Sequence, residues 1–345
     1  LFIGCNGDSD NNSARVVYVA NDGNVYIEDI DNKSKVQVTN DAYLSAGDDT
    51  AISYAWPTWS PDNEWVAVSR VSSERSSGDI RTKAILQLID ISSMDIGTIF
   101  ETPSLAYPFI SNRIPHYMHW SPVGANLSFM SRLNDSVGIA LLTFNPRATE
   151  SDRSDDIRKE IADMRPGGIN INEVAVGSPL WMSWSPNGDT IIAHVGDSLN
   201  FIDNYSGNFI EEFDRRPSSW FRVASLSFSG SWLAYTGLYA GEPSFLVSNS
   251  DGSGVRNISE VGPRQAFSWS PLNEEIAFSD SGSYGGSSYD GLSVFAYPDW
   301  DPVRIINEPI LAFFWSPDGE KIAYAAVDVS TGGLTWKVVS RDGSK

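Results

Sequence analysis

The chain has 345 residues, of which 41% are hydrophobic and 12% aromatic, so it can bury a large apolar core. Its formal net charge of −20 makes nucleic acid and anionic membrane surfaces unfavourable partners. The single cysteine excludes an internal disulfide, and 28 glycines with 18 prolines indicate a chain rich in turns and strands.

The N-terminal stretch Phe2-Ile3-Gly4-Cys5 resembles the end of a bacterial lipoprotein signal peptide, in which a small residue precedes a lipidated cysteine. The resemblance implies that Cys5 is lipidated, that residues 1–13 are the signal end and a polar tether, and that the protein is periplasmic or extracellular. The membrane would be reached by the lipid anchor only, because no run of 18 apolar residues is present. A chance cysteine in a frayed end is the alternative.

A single domain is predicted over residues 14–345. Its first segments, 15–20, 24–29 and 35–40, are predicted to be the second, third and fourth strands of a unit that lacks a first. At the other end, 334–340 is predicted to be a third strand without a fourth before Lys345. These two incomplete units suggest ring closure by the termini, or a chain that continues past Lys345.

Between these ends, one motif recurs six times: an aromatic residue before a serine, a tight turn and a returning strand. The aromatic residues are Trp59, Trp120, Trp184, Phe228, Trp269 and Trp315, spaced by 61, 64, 44, 41 and 46 residues. A period in the forties with several strands per unit is typical of a β-propeller. Proline sets the turn, except in the degenerate Phe228 copy, and the aromatic ring fills the wedge between neighbouring sheets.

Six copies plus the N-terminal partial unit predict an all-β, seven-bladed propeller of four-stranded blades. Six blades are the alternative, if the two partial units share one sheet. The two long spacings require insertions. Residues 151–168 are predicted to form a short surface helix, for packing on a blade edge or for docking. Residues 72–79 are predicted to be a polar loop, and 103–118 form an insertion rich in aromatic residues.

The motif copies resemble the TolB-type propeller repeats, a WD-repeat-like family of bacterial periplasmic and exported proteins. The stretch Trp315-Ser-Pro-Asp-Gly-Glu-Lys-Ile-Ala-Tyr324 is close to the family consensus, and the resemblance covers residues 15–345. It implies an extracytoplasmic protein-binding scaffold. TolB itself carries an α/β domain before its propeller, and this sequence shows none, so the chain is not expected to be TolB itself.

No catalytic set emerges from the sequence, so we expect no enzyme, no cofactor and no metal. His116 and His119 lie three apart on a predicted strand and should face opposite sides, while His194 lies on a second strand. The acidic residues at 29–32 lack calcium-loop spacing and are interpreted as a turn. Prolyl oligopeptidase-type peptidases pair similar propellers with a hydrolase domain, but no Gly-x-Ser-x-Gly motif is present and the chain has no room for that domain.

One group of residues is a candidate binding site, because all its members lie on the approaches to first strands. The group comprises Arg113, Arg222, Arg264, Tyr54, His116, Trp181 and Trp220. If they ring one channel mouth, they could clamp a carboxylate or a peptide tail. The alternative is three unrelated arginines, each paired with a nearby acid.

The resulting hypothesis is a non-catalytic protein-binding scaffold or accessory subunit at a membrane or cell surface, with a protein partner. A sensor or binding module for a small anionic ligand is the alternative. An enzyme that uses the channel face is the weakest hypothesis.

Overall fold

The structure is a computed structural model in which antiparallel strand pairs predominate. It describes residues 4–7, 14–43, 49–76, 79–101, 105–106, 116–123, 126–131, 140–144, 180–195, 198–203, 209–213, 224–260, 266–279, 282–284, 287–289, 291–316, 318–328, 330–331 and 333–344. Within these residues every helix or strand element is a β-strand. The predicted helix at 151–168 lies outside the described residues.

The strands fall into two compact units, of which the first comprises Leu1–Gly4, Arg15–Ser178 and Asp203–Asn208. Three sheets belong mainly to this unit. In sheet order they contain β1 (Gly4–Gly7), β2 (Ala14–Val19), β3 (Val25–Asp29) and β4 (Lys35–Gln37); β5 (Thr50–Trp59), β6 (Trp65–Ser76), β7 (Asp79–Asp90) and β8 (Ile96–Glu101), with β9 (Leu105–Ala106) beside β7; and β10 (His116–Trp120), β11 (Leu127–Ser131) and β12 (Ala140–Phe144).

The second unit comprises Cys5–Ala14, Pro179–Ile202 and Phe209–Lys345, and holds the remaining sheets. In sheet order they contain β13 (Leu180–Trp184), β14 (Thr190–Val195), β15 (Ser198–Asp203) and β16 (Phe209–Phe213); β17 (Ala224–Leu226), β18 (Trp232–Tyr239), β19 (Glu242–Asn249) and β20 (Arg256–Glu260); β21 (Phe267–Trp269), β22 (Glu275–Ser279), β25 (Leu292–Ala296) and β26 (Pro302–Ile306); and β27 (Ile310–Trp315), β28 (Lys321–Val327) and β29 (Leu334–Ser340). A hairpin of β23 (Gly282–Tyr284) and β24 (Ser287–Tyr289) lies between β22 and β25 in the chain.

The recurrent turn joins the first and second strands of its sheet, as the sequence predicts. In the last sheet, the Ser316 hydroxyl donates to Asp318 at 2.5 Å and accepts a 2.9 Å hydrogen bond from the Lys321 amide. Trp315 pairs with Ile322 on the returning strand and is 8% exposed. Its indole N–H donates to the Ser268 carbonyl, in the first strand of the preceding sheet, so this motif also ties two sheets together, as those of Trp120 and Trp269 do.

The motif alignment on Phe228 is wrong by two residues. Leu226, not Phe228, pairs with the residue seven positions later, as the tryptophans do in the other copies. The Trp269 indole donates to the carbonyl of Ser225, the residue before Leu226. Phe228 is 46% exposed and lies in the turn itself. With Leu226 at the aromatic position, the two spacings around it become 42 and 43 residues.

The predicted polar loop at 72–79 is also wrong, because β6 continues to Ser76 and β7 begins at Asp79. This hairpin extends with polar side chains on both faces. Glu74 is paired with Arg81 across the two strands, and the next residue, Arg75, is paired with Ile80. Cross-strand pairs of opposite charge, such as Glu74 and Arg81, stabilise two paired strands. A search for apolar alternation misses such a strand.

The two end sheets differ from the expectation in one respect. Gly4–Gly7 lies beside β2, so the first sheet has a strand in its first position. The last sheet ends at β29 with no fourth strand in the described part of the chain, as expected. The described residues form seven sheets of three to five strands plus one hairpin, while the arrangement of seven blades in a ring remains a prediction.

Candidate functional site

Three of the predicted binding residues lie within first strands, whereas the sequence analysis placed them on the approaches to these strands. His116 begins β10, Trp181 is the second residue of β13, and Tyr54 lies in β5. Arg113, Trp220, Arg222 and Arg264 lie outside the described residues. Their common function therefore stays a prediction, and Tyr54 is the member whose surroundings define a site.

Tyr54 belongs to a polar group with Asp41 and Arg70. Its hydroxyl donates to Asp41 Oδ1 at 2.6 Å, and Arg70 Nε donates to Asp41 Oδ2 at 2.9 Å. Arg70 Nη2 also lies 2.8 Å from Oδ2. Tyr54 and Arg70 are opposite each other on β5 and β6, and Asp41 lies in the connection from β4 to β5. In each unit, the sheet end at which the described part of such a connection lies, residues 38–43 or residues 307–309, is called a strand-entry side.

These contacts fix the charges of the group. Burial alone would raise the pKa of Asp41, but the hydrogen bonds from Tyr54 and Arg70 outweigh it and hold this pKa below its usual value. Burial and the hydrogen bond to Asp41 raise the pKa of Tyr54. At neutral pH the group is therefore a carboxylate between a neutral phenol and a guanidinium.

The exposure of the three side chains assigns their roles. Tyr54 is 6% exposed, and its ring packs with Val17, Trp59 and Val68 in the apolar core. The side chain of Asp41 is 45% exposed and that of Arg70 is 19% exposed. The buried Tyr54 thus positions Asp41 through its hydroxyl. The ion pair of Asp41 and Arg70 faces solvent, and the tyrosine ring does not.

A second group of the same composition is built in the last sheet. Tyr324 on β28 donates to Glu308 Oε1 at 2.9 Å, and Lys337 Nζ on β29 donates to both carboxylate oxygens at 2.8 and 2.7 Å. Glu308 lies in the connection from β26 to β27. Burial and the hydrogen bond to Glu308 raise the pKa of Tyr324. A tyrosine, a carboxylate and a cation therefore meet after a fourth strand in each unit.

Sequence reasoning missed the carboxylates and cations of both groups. Each cation lies directly opposite a tyrosine across two paired strands, as in the pairs Tyr54–Arg70 and Tyr324–Lys337. Each carboxylate follows the last residue of a fourth strand by a few positions. The strand registers, once the turns were aligned, would have indicated the tyrosine–cation pairs.

The register of β10 against β11 shifts between His116 and His119, so the expectation that these two histidines face opposite sides stays a prediction. Burial lowers the pKa of His119 to about 4, which leaves the ring neutral at neutral pH. In the part of the chain that the structure describes, no three His, Cys, Asp or Glu side chains are grouped to hold a metal ion.

Cys5 lies within β1. Its lipidation, and the tether over residues 1–13, stay predictions. No helix with the length and apolar character needed to cross a bilayer occurs among the described residues.

No protein-family model and no curated protein matches the chain. Solved structures match over nearly its full length. The β-propeller domain of the Trilobed protease from Pyrococcus furiosus, described as having an open velcro topology, matches at 12% identity with a TM-score of 0.59, covering 99% of this chain and 96% of that one. A chain of the mitotic checkpoint complex matches at 17% identity with a TM-score of 0.55, covering 96% and 87%.

Puromycin hydrolase matches at 14% identity with a TM-score of 0.55; the match covers 94% of this chain but only half of the hydrolase. Two TolB structures also match, but TM-scores of 0.43 and 0.46 carry no argument. Together with the repeated antiparallel sheets, the higher-scoring matches show that the fold is that of a β-propeller.

The comparisons also correct one expectation. The expectation that the protein is not an enzyme is wrong, because it does not follow from a propeller fold. Propellers of this fold occur in a protease and in puromycin hydrolase, so the fold and the lack of a nucleophile motif do not exclude an enzyme.

Proposed function

We propose that the protein is a protein-binding β-propeller that works outside the cytoplasm, held at a membrane or cell surface through lipidated Cys5. Its working surfaces in this proposal are the two strand-entry sides. Asp41 and Arg70 supply an ion pair of fixed geometry in the first unit. The proposal adds the three arginines that the sequence analysis selected: Arg113, Arg222 and Arg264.

The observation that carries the proposal is the polar group of tyrosine, carboxylate and cation, which is built once in each unit. The propeller core needs the tryptophans and the turns, but it does not need half-exposed ion pairs. Hydrogen bonds of 2.6 to 2.9 Å hold both carboxylates in place before any partner arrives. Such pre-organised groups reduce the entropy that is lost on binding.

The composition of the two groups favours a protein over a small anion. In each group a carboxylate is paired with one cation, so the group has little net charge and offers both donors and acceptors. A peptide segment carries both kinds of partner, whereas a small anion requires surplus cations. A chain of this fold within the mitotic checkpoint complex supports the use of propellers in protein assemblies.

The test is cross-linking in intact membranes of the source organism, followed by mass spectrometry of the proteins joined to the chain. The variant removes three cations together: Arg113→Gln, Arg222→Gln and Arg264→Gln. The control removes three exposed cations from other regions: Lys33→Gln, Arg81→Gln and Arg304→Gln. We expect one stoichiometric partner for the wild type and the control, and at least about tenfold less of it for the variant.

Two results would contradict the proposal. If the folded triple variant captures as much partner as the wild type, the three arginines are not part of the interface. A chain that captures no protein, but is stabilised against heat by small carboxylates or phosphate, would favour the anionic-ligand module instead. A thioether-linked lipid on Cys5, read from the mass of the N-terminal peptide, tests the anchor separately.

A further inference from the structure

Two neighbouring turns depart from the repeat in the same way. Five of the six motif turns have proline after the serine, at positions 61, 122, 186, 271 and 317, where it presets the backbone. In the sixth, Phe228 takes this place and is 46% exposed. The turn keeps its hydrogen bonds, with the Ser227 amide donating to the Trp232 carbonyl at 2.8 Å and the Gly230 amide to the Ser227 carbonyl at 2.9 Å. The backbone hydrogen bonds of this turn therefore form without a proline at this position.

The second departure is Leu272 in the next motif turn. In three other turns, Asp62, Asn187 and Asp318 occupy this position and accept a hydrogen bond of 2.5 to 2.7 Å from the turn serine. Leucine cannot accept that bond, and Leu272 is 49% exposed. An exposed apolar side chain thus replaces a residue that would stabilise the turn.

Glu274 links these two turns to a third loop by hydrogen bonds. Its Oε1 accepts a 3.1 Å hydrogen bond from the Ser229 amide, next to Phe228. Its backbone carbonyl accepts a 3.0 Å hydrogen bond from the amide of Tyr297, which is 51% exposed. Phe228, Leu272 and Tyr297 are called the turn-face surface from here on.

The aromatic part of this surface is rigid. The Tyr297 ring lies 5.2 Å from the Trp232 ring and 6.1 Å from the Trp300 ring, measured between centroids. Trp300 is buried and also contacts Trp232 and Trp269 edge to face, at 5.5 and 5.9 Å. An exposed aromatic ring braced by buried ones loses little freedom on binding, as is typical of binding hot spots.

The charges around the surface indicate the partner's chemistry. Glu274 Oε2 is enclosed and has no hydrogen-bond partner among the described residues. Asp299 and Asp301 are exposed on either side of Trp300. The exposed Arg256 also contacts this loop, where it donates to the Pro298 carbonyl at 3.4 Å. With a chain charge of −20, the surface is complementary to a basic segment.

We propose that the turn-face surface docks an extended segment of a partner protein in which a large apolar side chain is next to a lysine or arginine. The apolar side chain packs on Phe228, Leu272 and Tyr297. The cation pairs with the exposed carboxylates of Asp299 and Asp301. This site is distinct from the strand-entry sides and does not depend on their arginines.

The test uses substitutions that restore the repeat: Phe228→Pro with Leu272→Asp. Because both residues occur at these positions in other turns of the same chain, the double variant should fold at least as stably as the wild type. The matched control is Val123→Asp, which changes the position equivalent to Leu272 in the Trp120 turn, where the valine is also 49% exposed.

The probe is a fluorescent decapeptide that alternates leucine or phenylalanine with lysine, compared with the same peptide carrying glutamate for lysine. Binding to the full chain is followed by fluorescence anisotropy. We expect the lysine peptide to bind the wild type and the Val123→Asp control equally, and the double variant at least about tenfold more weakly. The glutamate peptide should bind at least about tenfold more weakly to the wild type.

Several results would overturn the proposal. These are equal binding of the lysine peptide by the double variant, equal binding of both peptides, and no binding of either. Self-association that the double variant abolishes would assign the surface to a second copy of the chain instead. The Arg113, Arg222 and Arg264 triple variant should bind the lysine peptide like the wild type, which separates failure here from failure of the proposed strand-entry function.

Discussion

The turns at Ser316 and Ser227 share one backbone but use their side chains differently. In both, the serine amide donates to the carbonyl five residues later at 2.8 Å, and a glycine amide closes the turn at 2.9 Å. The Ser316 turn also has a buried tryptophan before the serine, and an aspartate that accepts a hydrogen bond from the serine hydroxyl. The Ser227 turn has Leu226 and an exposed Phe228. The comparison shows that the fold requires the backbone hydrogen bonds of the turn, whereas the side chains around the serine can vary and are available for function.

The largest expected effect is at the residue before the serine. Trp315→Ala removes a buried ring and its hydrogen bond to Ser268, so it should lower the free energy of unfolding by about 3–5 kcal/mol. Leu226 is only half-buried, and Leu226→Ala should cost about 2 kcal/mol or less. Urea denaturation of both variants gives the comparison. Equal losses would mean that the tryptophan is not the main contact between its two sheets.

The glycines that close the two turns should differ as well. Gly319 has φ +67° and Gly230 has φ +73°, so alanine is strained at both by about 1–2 kcal/mol. At Gly319, an added Cβ would also come within 2.9 Å of Ser270 Oγ, whereas at Gly230 it meets nothing within 4 Å. Gly319→Ala should therefore be the more destabilising variant in thermal unfolding, and the reverse order would contradict the contact with Ser270.

The local part of this fold was predictable from sequence, because alternation and turn residues act over a few positions. β29 has the predicted limits, 334–340, and the three strands β2 to β4 overlap the predicted segments. The alignment failed at Phe228 because the nearest aromatic residue, not the serine, was taken as the fixed point. The hydrogen bonds show that the serine defines the turn.

The site was less predictable, because its contacts depend on register and on the path of connections. Tyr54 was selected as a residue that approaches a first strand, although it lies within β5. Its partner Asp41 lies 13 residues earlier, and Arg70 lies on the paired strand. Neither contact follows from local sequence, since both require the β4–β5 connection to return over β5.

The turn serines should show a smaller difference that depends on pH. Ser316→Ala removes hydrogen bonds with Asp318 and the Lys321 amide and should cost about 1–2 kcal/mol, whereas Ser227→Ala, with bonds of 3.2 and 3.5 Å, should cost about 0.5 kcal/mol. The Ser316 hydroxyl holds the pKa of Asp318 below its usual value of about 3.9. This stabilisation is present above that pH and is lost as the pH falls through the lowered pKa. The cost of Ser316→Ala should therefore shrink in acid, and a cost independent of pH would contradict this explanation.

The smallest expected effect has the opposite sign and sharpens the comparison most. Phe228→Pro restores the residue that the Ser316 turn has, and no main-chain hydrogen bond from the Phe228 amide is recorded in the described structure. Because proline restricts the unfolded chain, the variant should be more stable by about 0.4–1 kcal/mol, or unchanged if the exposed ring makes compensating contacts. Thermal unfolding measures this, with Phe228→Ala as the control for loss of the ring alone. A destabilised Phe228→Pro alongside a neutral Phe228→Ala would mean that this turn does not share the backbone of the others. If the Phe228→Pro variant is as stable as the wild type, selection for stability does not explain the phenylalanine. The proline found in the other five turns would then serve the fold equally well.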